Sequence, residues 1–82
     1  MSNFERKKLE TDLRNFTERN FESPSNCRNI DQIRFYVREL CVKIEEYESR
    51  FNFVPNAAYS LLAQYNLVQN QLIGVEFRKA YR

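Results

Sequence analysis

The sequence predicts an all-α fold in which three helices run up, down and up around a long antiparallel hairpin. Gly occurs once and Pro twice in 82 residues, which leaves few turns, whereas good helix formers are plentiful. Two long segments place apolar residues at alternating spacings of three and four, the heptad pattern of helices that pack side by side. A chain of this length suits one domain, so we assign residues 1–82 to a single helical domain.

The first helix is predicted over residues 3–20. Ser2 and Glu5 form a Ser-x-x-Glu pair, in which each side chain can accept a hydrogen bond from the other residue's backbone N–H at a helix start. The apolar positions that share one face at helical spacing are Leu9, Leu13 and Phe16. This stripe is narrow, because most of the remaining positions are charged or polar.

The second helix is predicted over residues 30–51, after an aperiodic loop that contains Pro24. Asn29 suits the N-cap, and Gln32 can reach back to it. The apolar seam of this helix consists of Ile30, Ile33, Val37, Leu40, Ile44, Tyr47 and Phe51. Its regularity is the strongest structural signal in the chain.

The third helix is predicted over residues 55–80, with Pro55 as its first residue, where the missing N–H costs nothing. The short link before it forces an antiparallel hairpin. The seam that should pack against the second helix consists of Val54, Ala58, Leu61, Tyr65, Val68, Leu72 and Val75. Truncation of Leu40 or Leu61 should therefore open a cavity in this seam.

A second apolar line on the third helix suggests an interface. No Asp, Glu, Lys or Arg occurs between Phe51 and Val75, and a helix fully exposed to water usually carries charges. The interface candidates are Tyr59, Leu62, Asn66, Asn70, Ile73 and Phe77, together with Phe35 and Val42 on the far side of the second helix. We expect a homo-oligomer that forms a larger bundle; the alternative is scattered surface apolar residues or a wider three-helix core.

The sequence contains no arrangement that suggests catalysis. Histidine is absent, and Glu45, Glu46 and Glu48 form a charged run on a face expected to be solvated, so neither a matched acid and base nor an activated cysteine is available. Cys27 and Cys41 have no metal-binding spacing. We therefore expect no enzyme activity, cofactor or metal site.

Two features bear on cellular location. The amino end becomes charged at once and has no apolar segment of a secretory signal, so we expect a cytoplasmic protein. The run of Asn and Gln within residues 64–71 would be too costly in hydrocarbon, which argues against a membrane span.

The up-down-up arrangement would gather arginines at one end of the bundle. The anion- or partner-binding candidates there are Arg28, Arg34, Arg38, Arg78, Lys79 and Arg82, with Tyr36 and Tyr81 as stacking surfaces. Arginine matches phosphate and carboxylate geometry. The alternative is a solvated surface on which these arginines pair with the nearby carboxylates Glu18, Glu22, Asp31, Glu39 and Glu76.

Two functional hypotheses follow. The first is a small non-enzymatic interaction protein, a regulator or inhibitor that binds a macromolecular partner through an oligomeric helical bundle. The alternative is binding or sequestration of a nucleotide or another phosphate-bearing ligand at the arginine-rich end, or weak nucleic-acid binding, whose affinity would fall with salt. The hairpin is similar in architecture to small helical hairpins that dimerise into four-helix bundles, but it shares no residue-level motif with them.

Overall fold

The computed structural model describes residues 2–80, apart from the side chains of Glu76, Phe77, Lys79 and Ala80. Within this part the chain forms three helices and no strand: α1 (Asn3–Asn20), α2 (Ile30–Phe51) and α3 (Asn56–Ala80). The all-α prediction is thus confirmed. The bounds of α1 and α2 are those expected, and α3 begins one residue later than expected, with the Pro55 carbonyl accepting the Ala58 N–H at 3.0 Å.

Both of the first two helices begin at the predicted caps. The Ser2 hydroxyl accepts the Glu5 N–H at 3.2 Å, and the Asn29 side-chain oxygen accepts the Gln32 N–H at 3.1 Å. Each side chain satisfies a backbone donor that has no partner inside the helix. The C-cap of α2 is Asn52, which adopts the left-handed conformation with φ 51°, a geometry that Asn tolerates better than most residues.

The buried core combines residues from all three helices and the loop before α2. It consists of Leu13, Cys27, Ile33, Tyr36, Leu40, Ile44, Tyr47, Ala58 and Tyr65. The most extensive contact between helices joins α2 and α3, as expected for the two predicted seams. α1 adds Leu13 to the core, and Leu9 packs partly buried against it.

Two predicted seam residues are more exposed than expected. Phe51, the last residue of α2, is 41% exposed, and Val75 of α3 is 46% exposed. A straight helix drifts by about 20° per heptad relative to a strict seven-residue repeat, which turns Val75 away from the seam. Leu61 is only half-buried, because it lies on the side of α3 that faces α1 and lines a surface depression with Leu13.

The molecule is elongated, with extents of 55 × 21 × 15 Å and a radius of gyration of 15.0 Å. A compact chain of this length would have a radius of gyration of about 12 Å. The elongated shape leaves much of each helix at the surface.

Candidate functional site

α1 covers one side of the α2–α3 pair. Asp12 accepts a hydrogen bond from the Tyr47 hydroxyl at 2.5 Å and lies 3.7 Å from the Lys43 ammonium. The Lys43 ammonium also lies 5.0 Å from the centre of the Phe16 ring, within range of a cation–π contact. Burial raises the pKa of the Tyr47 phenol above its ordinary value, and the hydrogen bond to Asp12 raises the pKa further.

An aromatic cluster closes the end of the core near the loop before α2. The Phe21 ring lies 4.6 Å from the Tyr36 ring and 6.1 Å from the Tyr65 ring, centre to centre. The Tyr65 hydroxyl donates to the Glu22 carbonyl, which ties the loop to α3. Burial raises the pKa of Tyr65 to about 12, with smaller contributions from Tyr36, Cys27 and Glu22.

The cluster corrects one sequence-based expectation. Tyr36 was expected to offer a stacking surface to a ligand at the arginine-rich end, but it is only 3% exposed. Its ring packs against those of Phe21 and Tyr65, and its hydroxyl accepts a hydrogen bond from the Gln32 side chain at 2.7 Å. Tyr36 is therefore a core residue and leaves the set of candidate ligand contacts.

Within the described residues, no helix covers the other side of the α2–α3 pair, and we call this side the open face. It is defined by two triads with heptad spacing: Arg34, Cys41 and Glu48 on α2, and Tyr59, Asn66 and Ile73 on α3. All six residues are exposed. Tyr59 and Ile73 expose 50% and 41% of their surface. Each could therefore bury a large apolar area in an interface. Lys43 marks the side of α2 that contacts α1. Cys41 lies about 200° around α2 from Lys43 and is therefore on the opposite side.

Each apolar end of the open face has a charged neighbour. Ile73 and Arg34 line the same surface depression, of 560 Å³, at the start of α2. Tyr59 and Glu48 line another, of 210 Å³, near the end of α2. The face therefore pairs an apolar residue with a positive charge at one end and an apolar residue with a negative charge at the other.

The remaining interface candidates occupy different surfaces. Leu62 is half-buried and packs against the core, while Asn70 is exposed. Phe35 and Val42 are both exposed on the far side of α2, and the side chain of Phe77 lies outside the described residues. Sequence reasoning missed Leu67, which is 60% exposed; its position in the uncharged stretch of α3 was the available signal.

The arginine-rich end is assembled in part. Arg28 and Arg34 line the 560 Å³ depression together with Asn29, Ile30 and Asp31 at the start of α2, and the Arg28 guanidinium donates to the Cys27 carbonyl at 3.2 Å. Arg38 and Arg78 are exposed. The Lys79 side chain, Tyr81 and Arg82 lie outside the part of the chain that the structure describes.

The ion pairs seen among the described residues do not involve these arginines. They join Lys43 to Asp12 and Arg50 to Glu46. Within the described part, the alternative of arginines paired with neighbouring carboxylates is thus not observed.

Two further findings concern the described residues only. No group of three or more Cys, Asp or Glu side chains is placed to hold a metal ion in this part of the chain. None of the helices, as far as they are described, combines the length and apolar character needed to cross a membrane.

The total surface is large for the mass of the chain. The accessible area is 6211 Å², whereas a compact monomer of 10.0 kDa would expose about 5200 Å². The excess agrees with the elongated shape and with the uncovered open face.

Comparisons with known proteins give no independent indication of function. No family model, curated protein or solved structure matches this chain. The function must therefore be argued from the two surfaces described above, the open face and the arginine-rich end.

Proposed function

We propose that this chain is a non-enzymatic interaction protein, a regulator or inhibitor that self-associates into a helical bundle and binds a macromolecular partner. The observation that carries the proposal is the open face, whose α3 half lies in a stretch with no charged residue from Asn52 to Gly74. Exposed apolar side chains on an uncharged stretch of helix favour association, because contact removes their apolar area from water and that stretch brings no charge into the interface.

The proposed bundle has three helices that run up, down and up in each chain. Two contacts with α2 support this direction, one from α1 and one from the residue that follows it. Asp12 contacts Tyr47, whereas Phe21, which follows α1, contacts Tyr36. The later residue, Phe21, thus contacts an earlier residue of α2 than Asp12 does, as expected for helices of opposite direction.

Self-association is tested by sedimentation velocity and light scattering over a range of concentrations. We expect the parent chain to form dimers or larger species as the concentration rises. Asn66→Arg introduces a charge into the open face and should return the chain to a monomer. Gln71→Arg is the matched control, since Gln71 is also an exposed, uncharged residue of α3 but lies about 140° around the helix from Asn66. A strictly monomeric parent chain would remove the self-association half of the proposal.

Partner binding is tested by affinity purification from the native host with the same three chains. A macromolecular partner that uses the assembled bundle should be retained by the parent and by Gln71→Arg, and lost with Asn66→Arg. Equal recovery with all three chains would show that the partner binds elsewhere and independently of assembly.

A second candidate function is binding of a phosphate-bearing ligand. It is favoured by the depression that Arg28 and Arg34 line at the start of α2, since arginine can bind phosphate through two parallel hydrogen bonds. A thermal-shift screen of mononucleotides, dinucleotides and cyclic nucleotides tests it, because a ligand specific for the folded state raises the melting temperature. A true site should also distinguish Arg28→Lys from the parent, since Lys keeps the charge but lacks the planar fork. No shift with any compound would contradict this function.

A further inference from the structure

The pattern of the open face is complementary to itself. Arg34, Cys41 and Glu48 are spaced by seven residues, and so are Tyr59, Asn66 and Ile73. Ile73 lies beside Arg34, and Tyr59 lies beside Glu48. The two triads therefore run side by side in opposite directions, and their middle residues, Cys41 and Asn66, lie at about the same level.

A two-fold axis through that level exchanges the ends of each triad. Seven residues of helix span about 10 Å, so the two ends lie at equal distances from the axis. The axis would place Tyr59 against the partner's Ile73 and Arg34 against the partner's Glu48. Both an apolar contact and an opposite-charge contact would then form twice, as an isologous interface requires.

We propose that two copies of this chain pack open face against open face, with antiparallel helices. The two-fold axis would lie in the interface, perpendicular to the helices, at the level of Cys41 and Asn66. This inference rests on the self-association proposed above and specifies its partner and register. The central pair of helices from each copy would form a four-helix bundle, with α1 on the outside of each half.

Charge is the reason to favour a second copy over an unrelated partner. A surface of one sign would repel its own copy, whereas this face has one positive and one negative end and attracts its copy in the antiparallel orientation alone. Among the described residues, neither Arg34 nor Glu48 takes part in an ion pair within its own chain. Asn66 would meet its own copy near the axis, where each amide can both donate and accept.

Charge reversal tests the register. In a homodimer of Arg34→Glu, the introduced carboxylate of each chain would face the partner's Glu48, and in a homodimer of Glu48→Arg two arginines would meet. We expect each variant alone to dimerise roughly tenfold more weakly than the parent at low ionic strength. An equimolar mixture restores both opposite-charge contacts, so a heterodimer should form about as tightly as the parent dimer.

Native mass spectrometry distinguishes that heterodimer from the two homodimers. Both altered side chains are exposed, so the fold of each variant should survive, and a circular dichroism melt checks this. If the single variants dimerise like the parent, or if the mixture associates no better than either variant alone, the register is wrong.

A cross-linking experiment gives a second test without altering the charges. Cys41 is exposed, whereas Cys27 is fully buried, so a short bifunctional maleimide should join two parent chains through Cys41. Cys41→Ser should abolish the product. The matched control is Cys41→Ser combined with Ser49→Cys, which moves the thiol to an exposed position of α2 about 80° away from the stripe; it should cross-link only at the rate of random collision.

The outcomes separate this inference from the proposed function. A parent chain that stays monomeric contradicts both. A parent chain that dimerises, but neither cross-links through Cys41 nor responds to the charge reversals, overturns only the two-fold packing of the open face.

Discussion

Tyr65 connects α3 to the loop before α2 through a single buried hydroxyl. Its side chain donates to the Glu22 carbonyl within the aromatic cluster. Tyr65→Phe keeps the ring but leaves that carbonyl without its donor, which should lower the free energy of unfolding by about 1–3 kcal/mol. Urea denaturation measures the change. Tyr59→Phe is the control, because Tyr59 is half-exposed and no hydrogen bond to its hydroxyl occurs within the described residues; an equal loss in both variants would contradict the role of the Glu22 contact.

The same residue should make stability sensitive to high pH. Burial raises the pKa of Tyr65 to about 12, whereas a tyrosine in the unfolded chain titrates near pH 10. Below about pH 10 both states hold the proton, and the stabilising contribution is complete. Between about pH 10 and 12 the unfolded state releases its proton first, so the free energy of unfolding should fall as the pH rises.

The measurement is the urea midpoint from about pH 8 to 12, with Tyr65→Phe as the comparison. The decline should be less steep in the variant. A parent midpoint that stays constant up to about pH 12 would contradict the raised pKa. Tyr47, whose pKa is also raised by burial and by Asp12, should contribute in the same direction.

At the residue scale, the sequence could not distinguish a buried tyrosine from an exposed one. In the sequence, Tyr36 is next to the predicted apolar seam of α2 but does not belong to it. Nothing local indicates that Phe21 packs on Tyr36. Its burial depends on where the loop before α2 returns to the core, which is a tertiary contact. The sequence-based role of Tyr36 as a stacking surface was therefore wrong.

The helices themselves were predictable because their signals are local. Ser2 and Asn29 cap the helices that they were expected to cap, and the heptad spacing of α2 matches the buried residues Ile33, Leu40 and Ile44. Each of these features depends on neighbours within one or two turns. The position of α1 on the hairpin is different, because it depends on contacts such as Asp12 with Tyr47 that join distant parts of the chain.

The packing of α2 against α3 predicts unequal costs for two similar truncations. Leu40 is fully buried, so Leu40→Ala should lower the free energy of unfolding by about 2–5 kcal/mol. Leu61 is half-buried beside α1, so Leu61→Ala removes less buried area and can leave a site open to water; it should cost about half as much. Thermal or urea denaturation gives both values. Equal costs would mean that α1 packs more tightly over Leu61 than the structure indicates.

Gly74 is a weak point in α3 that no contact within the described chain explains. A Cβ added there meets nothing within 4 Å, and glycine in a helix interior costs about 0.5–1 kcal/mol relative to alanine. Gly74→Ala should therefore raise the melting temperature by a few degrees in a domain of this size. Ala63→Gly, at an exposed position of α3, should lower it by a similar amount. A loss of stability in Gly74→Ala would indicate that another molecule packs closely on Gly74.

At the scale of the whole molecule, the sequence indicated half of the open face. Tyr59, Asn66 and Ile73 were interface candidates because they form an apolar and uncharged line on one helix, which spacing alone reveals. The place of Arg34 beside Ile73 and of Glu48 beside Tyr59 depends on the level at which α2 and α3 pack. That level is a property of the folded hairpin, and no spacing within either helix specifies it.

Because Cys27 is buried, the rate at which its thiol reacts reports motion of the loop before α2. The thiol is 0% exposed although it lies outside any helix, whereas Cys41 is open to solvent. A thiol reagent can reach Cys27 only when the loop lifts or the chain unfolds, so Cys27 should react at least roughly a hundredfold more slowly than Cys41.

If the loop lifts alone, low concentrations of urea will barely change the rate at which Cys27 reacts, because little surface is exposed in that step. Tyr65→Phe should then speed the labelling of Cys27 and leave that of Cys41 unchanged, and the ratio of the two rates would report how often the loop leaves the core.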